Sequence, residues 1–169
     1  MICEFFILIF GGFWNFREIM VKTRSTLLKK IFIFIYFCYM KKNGSVIQPG
    51  AKFASKPIFP HGPMGIFISK GAIIGENCVI FHHVTIGSNT IPTSKTKGAP
   101  IIGNNVFIGA GAVIIGGITI GNNCRIGANC IVTQDIPDNS VVVMEKPRII
   151  QKENLDNSYY SFGKFKKMQ

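Results

Sequence analysis

The stretch IGAGAVIIGGITIGNNCRIGANCIV occupies residues 108–132. Counting from Ile108 in steps of six gives Ile114, Ile120, Ile126 and Val132, and the row extends back to Ile102. Six is not a helical interval, because apolar residues on one helix face recur at three and four. It is a multiple of two, so every member of the row points to one side of an extended chain. An earlier row runs Ile68, Ile74, Ile80 and Ile86. The two rows are out of phase, so an insertion lies between residues 86 and 102.

A second apolar row follows each leading residue by four. It reads Ala72, Cys78, Val84, Val106, Ala112, Ile118, Cys124, Cys130 and Ile136. These are small or medium side chains, suited to a narrow interior. Glycine follows most leading residues, at 75, 87, 103, 109, 121 and 127, and asparagines come soon after. Both residue types tolerate tight-turn and left-handed backbone. Each hexad therefore reads as a short strand plus a turn, the pattern of a parallel β-helix with coils about 4.8 Å apart. Each buried Ile contributes about 1.5–3 kcal/mol, enough to hold a stacked array. A β-sandwich would have to produce the spacing by accident. The period alone leaves the hand of the coil open.

Working outward, residues 1–42 read as a helical, basic and aromatic segment of one or two helices, closing at KKNGS (41–45). Residues 43–140 hold the coils. They begin with an irregular opening coil marked by Ile47, Phe53 and Phe59. The polar, turn-rich loop 87–100 protrudes from them. Residues 141–169 form a C-terminal strand, VVVMEKPRII being its candidate, and a loosely ordered polar tail.

The formal net charge is +11. Arg17, Lys22, Arg24, Lys29, Lys30, Lys41 and Lys42 crowd the N-terminal segment, and Lys164, Lys166 and Lys167 lie in the tail. Such charge suits a phosphate-bearing ligand or an anionic membrane face. No nucleic-acid motif accompanies it, so nucleic acid is not an expected partner. The five cysteines include no CxxC pair, which fits a reducing cytosol. The apolar stretches 5–14 and 31–40 are too short to span a bilayer as helices, which need about 20 residues. Packed helices or peripheral contact at the inner membrane face both suit them.

The segments GAIIGENCVIFHHVTIGS (71–88) and GAPIIGNNVFIGAGAVIIGGITIGNNCRIGANCIVTQDIPDNS (98–140) carry a resemblance. The chain is similar to the hexapeptide-repeat acyltransferases, and within them to the serine acetyltransferase-like branch. That branch also holds O-acetyltransferases of capsule and lipopolysaccharide sugars. The resemblance covers about residues 45–150. It implies an all-β, left-handed parallel β-helix, a homotrimer, and acetyl-CoA bound between two subunits.

Acetyl transfer from a thioester to a hydroxyl needs a base for the proton and donors for the oxyanion. Histidine is the usual base near neutral pH. The histidines here are His61, His82 and His83. The resemblance gives the base role to His61, which precedes Gly65-Ile66-Phe67-Ile68 as the family's catalytic histidine precedes a Gly-Ile-x-Ile segment. His82 and His83 fall at a turn about one 18-residue coil later, as groove-lining residues or plain surface. For the donor, the resemblance points to Gly109, Ala110, Gly111, Gly127 and Ala128 along the pantetheine arm. Lys95, Lys97, Lys146 and Arg148 are candidates for the CoA phosphates. No metal is expected; the H-x4-H ligand pair of the gamma carbonic anhydrases, a zinc hydratase family on this fold, is absent. A non-catalytic scaffold is the remaining class.

Two departures shape the acceptor expectation. Serine acetyltransferases place an aspartate near an Ile-His-Pro-like segment, where this chain has Ser45-Val46-Ile47-Gln48-Pro49. They also carry a histidine before a proline in the protruding loop, where this chain has Ala99 before Pro100. Lacking these groups, the chain is expected to acetylate a surface polysaccharide or glycolipid precursor, with serine as the alternative acceptor.

Overall fold

The structure is a computed structural model and describes residues 2–153, 159–161 and 164–166. Three helices lead the chain: α1 (Ile2–Ile9), α2 (Phe13–Lys22) and α3 (Thr26–Lys42). The sequence suggested one or two. The third arises because Gly11 and Gly12 both take positive φ and split the first apolar stretch from the next helix. At the end of α3, Gly44 turns left-handed at φ +60° while Ser45 N–H reaches back to the Met40 carbonyl. This is the glycine stop expected of a helix C-terminus.

The coils then wind as a left-handed parallel β-helix with three faces. One face stacks β1 (Val46–Ile47), β3 (Phe67–Ile68), β6 (Thr85–Gly87), β9 (Val113–Ile115) and β12 (Ile131–Val132). The second stacks β2 (Lys52–Phe53), β4 (Ile73–Ile74), β7 (Ile101–Ile102) and β10 (Thr119–Ile120). The third stacks β5 (Val79–Ile80), β8 (Phe107–Ile108), β11 (Arg125–Ile126) and β13 (Val141–Val142). Every leading Ile from 68 to 126 is buried, and the second row is buried from Ala72 to Cys130. The sixfold period is thus the period of inward-pointing side chains, with one turn of the prism per three hexads.

Vertical registers measure each coil. Ile114 lies under Val132, 18 residues apart. Ile86 pairs with Ile114 at 28, because the loop after β6 adds ten residues. Ile47 pairs with Ile68 at 21, so the opening coil carries three extra residues. Asparagines hold one corner: Asn77, Asn105, Asn123 and Asn139 all have φ between 54° and 59°. Their amides bond in series, each Nδ2 to the next Oδ1, at 3.1–3.2 Å.

The helices are bolted to the first coil by polar groups. Buried Arg17 donates through Nη2 to the carbonyls of Ala51 (2.6 Å) and Pro49 (3.1 Å), and its guanidinium lies 4.7 Å from the Phe53 ring. Tyr36 donates to the Ile47 carbonyl at 2.7 Å. Phe5, Leu8 and Ile9 of α1 and Leu27, Ile31 and Phe34 of α3 stay exposed. No helix among the described residues is long and apolar enough to cross a membrane.

The C-terminal expectations need revision. Of VVVMEKPRII, β13 alone joins the coils, on β11. The tail read as loosely ordered contains an antiparallel pair, β14 (Tyr159–Ser161) with β15 (Lys164–Lys166). Lys167 and the rest of the tail lie outside the described residues.

Candidate functional site

The extra residues of the opening coil bulge out as the turn that carries His61. Gly62 and Gly65 take positive φ there, and Gly65 N–H bonds to the Asn43 carbonyl. Buried Ser45 fastens the same turn. Its hydroxyl donates to the Pro63 carbonyl and accepts from Ile66 N–H at 3.0 Å. Ser45 therefore works on backbone, not on an imidazole.

His61 is exposed, and its Nδ1 sits 2.8 Å from Nδ1 of His82. The extra residues fall between the Ile58–Val79 bridge and Met64, whose carbonyl takes the His83 N–H, so His61 rides on the bulge between them and meets His82 through its side chain. Counting 18 residues per coil places Val79 beside His61; the three extra residues bring His82 there instead. On its other side the His61 ring meets the edge of Phe81 at 5.5 Å. Phe81 packs 5.1 Å from Phe107, and the Arg125 guanidinium lies 5.9 Å from the Phe107 ring. An aromatic shelf ending in a cation thus leads away from His61. Sequence reading passed over it, although Phe107 and Arg125 occupy the same outward position of successive coils.

His83 has a different situation. It occupies a left-handed corner position at φ +58°, where the coils above it have Gly111 (+69°) and Asn129 (+56°). Histidine is among the few non-glycine types enriched there. Its N–H bonds to the Met64 carbonyl, and its ring fills the space over Gly65.

The donor candidates stand on the same corner. Gly111 N–H donates to the His82 carbonyl at 3.1 Å, and Asn129 N–H to the Ala110 carbonyl at 2.8 Å. Met64, His82, Ala110 and Ala128 therefore form one column, and His61 meets it through the His82 side chain. Gly109 is packed so closely that a Cβ would lie 2.7 Å from Ala128 N. Among the described residues, the N–H groups of Ala110 and Ala128 have no intrachain hydrogen-bond partner. Gly127 lines the adjoining rung, against the Val142 carbonyl.

The four cations are more scattered. Lys95 and Lys97 are exposed on the protruding loop, which is closed by paired bonds between Asn89 and Gly98. Lys146 and Arg148 are exposed on the extended segment after β13. Ala99 lies against Gly71 at the loop's root. A groove of about 200 Å³ along Val46, Phe67 and Thr85 is on another face and holds none of the candidates.

Comparison with known proteins bears on this corner. Residues 99–134 match the bacterial transferase hexapeptide model, described as six repeats. Residues 99–134 are hexapeptide repeat. The chain is 40% identical over 112 residues to a Helicobacter pylori protein named serine acetyltransferase, covering 65% of this chain and 63% of that one. Among solved structures, it is similar to serine acetyltransferase isoform 3 of Entamoeba histolytica, solved in complex with cysteine. The TM-score is 0.66 at 32% identity, over 82% of this chain and 49% of that one. It is also similar to the Neisseria gonorrhoeae serine acetyltransferase in complex with serine. That match has a TM-score of 0.65 at 30% identity, over 79% and 54%. The chain thus spans about half of these solved relatives and under two thirds of the Helicobacter protein.

These relatives overturn the expected glycan acceptor and the capsule and lipopolysaccharide branch. Every relative named above is a serine acetyltransferase. The expectation rested on the missing carboxylate at residues 45–49 and on Ala99 in place of a loop histidine, and relatives named serine acetyltransferase match the chain in spite of both.

Proposed function

We propose that this chain transfers the acetyl group of acetyl-CoA to the hydroxyl of serine. The observation that carries the reading is the 40% identity over 112 residues to a protein named serine acetyltransferase. The corner geometry supports it with an exposed histidine at the foot of a column of close-packed glycine and alanine turns.

The chemistry balances with this chain's own groups. His61 Nε2 takes the proton as the serine oxygen attacks the thioester carbonyl. The tetrahedral oxyanion collapses and expels the CoA thiolate. The imidazolium returns the proton to that sulfur, leaving O-acetylserine and free CoA. The Ala110 and Ala128 N–H groups, without intrachain partners among the described residues, are assigned to the pantetheine amides. Gly109, Gly111 and Gly127 let the arm lie close. Lys95, Lys97, Lys146 and Arg148 are the cations within this chain assigned to the CoA phosphates. His83 is assigned a supporting place over Gly65.

The working assembly in this reading is a homotrimer, with a second copy forming the other wall of the donor groove. The described cysteines are all free thiols, which supports a reducing cytosol. Contact with a membrane face rests on the exposed apolar stripe of α3 beside Lys29 and Lys30, and vesicle sedimentation tests it.

The test is product identification. Acetyl-CoA carrying ¹³C in the acetyl carbonyl, incubated with the protein and L-serine, should give a serine ester carbonyl signal. Label released only as acetate would overturn the reading.

A further inference from the structure

We infer that His82 is a positioning residue, holding His61 in its reactive tautomer. The inference rests on the proposed base role of His61.

Two imidazole nitrogens 2.8 Å apart share one proton between them. A neutral His61 can act as a base at Nε2 only if its own proton sits on Nδ1. That proton must then be donated to the Nδ1 lone pair of His82, which in turn keeps its proton on Nε2. With its own proton on Nε2, His82 holds His61 in the base form by accepting this hydrogen bond, as an orienting acceptor does in a nucleophile–base–orienter arrangement. When His61 takes the hydroxyl proton, the Nδ1–H···Nδ1 bond becomes charge-assisted and strengthens.

Other observations agree with this division of labour. Among the described residues, His61 Nε2 has no hydrogen-bond partner, so it is the atom left for substrate. Ser45, at the base of the turn, is committed to Pro63 and Ile66. The His82 backbone is pinned from above by Gly111 N–H, and that of His83 from below by Met64. The position of His82 is thus fixed by the coil, while His61 rides on the bulged turn. An orienter on the rigid element and a base on the turn is the arrangement a preorganised site requires.

The test uses ¹⁵N-histidine-labelled full-length protein, in which three histidines give six imidazole nitrogens. In the wild type, His61 should show Nδ1–H and a bare Nε2. In His82→Leu, the His61 signals should move toward the Nε2–H tautomer, and kcat should fall about ten- to a hundredfold with KM for serine nearly unchanged. His82→Asn places an amide oxygen where Nδ1 stood and should recover much of the loss, as should His82→Asp. An unchanged melting temperature in each variant establishes that the coil is intact.

An unchanged His61 tautomer and undiminished kcat in His82→Leu would overturn the inference. A loss that neither Asn nor Asp recovers, with His61 tautomer unmoved, would also overturn it. If His61→Ala itself keeps full turnover, the base assignment fails, and the tautomer measurement still decides whether His82 orients His61.

Discussion

The His83 ring occupies the volume that a side chain on Gly65 would need: a Cβ built there lies 2.1 Å from His83 Nδ1. Gly65 also sits at φ +64°. The two residues lock the turn that carries His61 onto the next coil, since His83 N–H holds Met64 as well. Gly65→Ala should therefore cost about 1–2 kcal/mol for the left-handed backbone alone. The displaced turn should also move His61 and lower turnover on the order of 10²-fold. Urea unfolding and steady-state kinetics on one preparation measure both. His83→Ala, which empties that space, should restore part of the loss in the Gly65→Ala background.

Tyr36 ties the helices to the coils and gives stability a pH signature. Burial pushes its hydroxyl up to about 12, partly opposed by the nearby Arg17 charge. The unfolded phenol ionises near 10. Between those values the folded state keeps a proton that the unfolded state has lost, so stability falls as pH rises from about 10 to 12. The full excursion is on the order of 2–3 kcal/mol. Tyr36→Phe should remove this part of the alkaline slope. It should also lose about 1 kcal/mol at neutral pH, because the Ile47 carbonyl is left without its donor. Urea midpoints at pH 8 and 11 for the two proteins check the sign.

The asparagine corner makes a further prediction. Asn105 has φ 56° and bonds to Asn77 and Asn123. Asn105→Ala should lose about 1–2 kcal/mol, combining left-handed strain with the broken ladder. Asn105→Gly keeps the backbone relaxed and should lose less. A melting series of wild type, Gly and Ala in that order checks it. Equal melting for Ala and wild type would show that the ladder contributes nothing.

The coils were legible because burial on each face repeats strictly: Ile102 to Ile126 announce themselves at every sixth residue. The glycines and asparagines marked the corners for the same reason, being the types that fit positive φ. That His61 and the His82–His83 pair lie one coil apart was legible from the period. Which of the two meets His61 was not, because it depends on three extra residues in one irregular coil. The acceptor expectation failed because it was argued from two absent side chains, and absence at two positions does not name a substrate. The third helix was hidden because Gly11-Gly12 interrupt an apolar run that has no polar break.

The central claim is tested most directly by serine-dependent release of free CoA thiol, comparing wild type with His61→Ala. The account predicts turnover that saturates with L-serine and falls about 10²–10⁴-fold in the variant, the range expected for removing a general base. Thiol release that does not depend on serine, or a His61→Ala protein as fast as wild type, would contradict it.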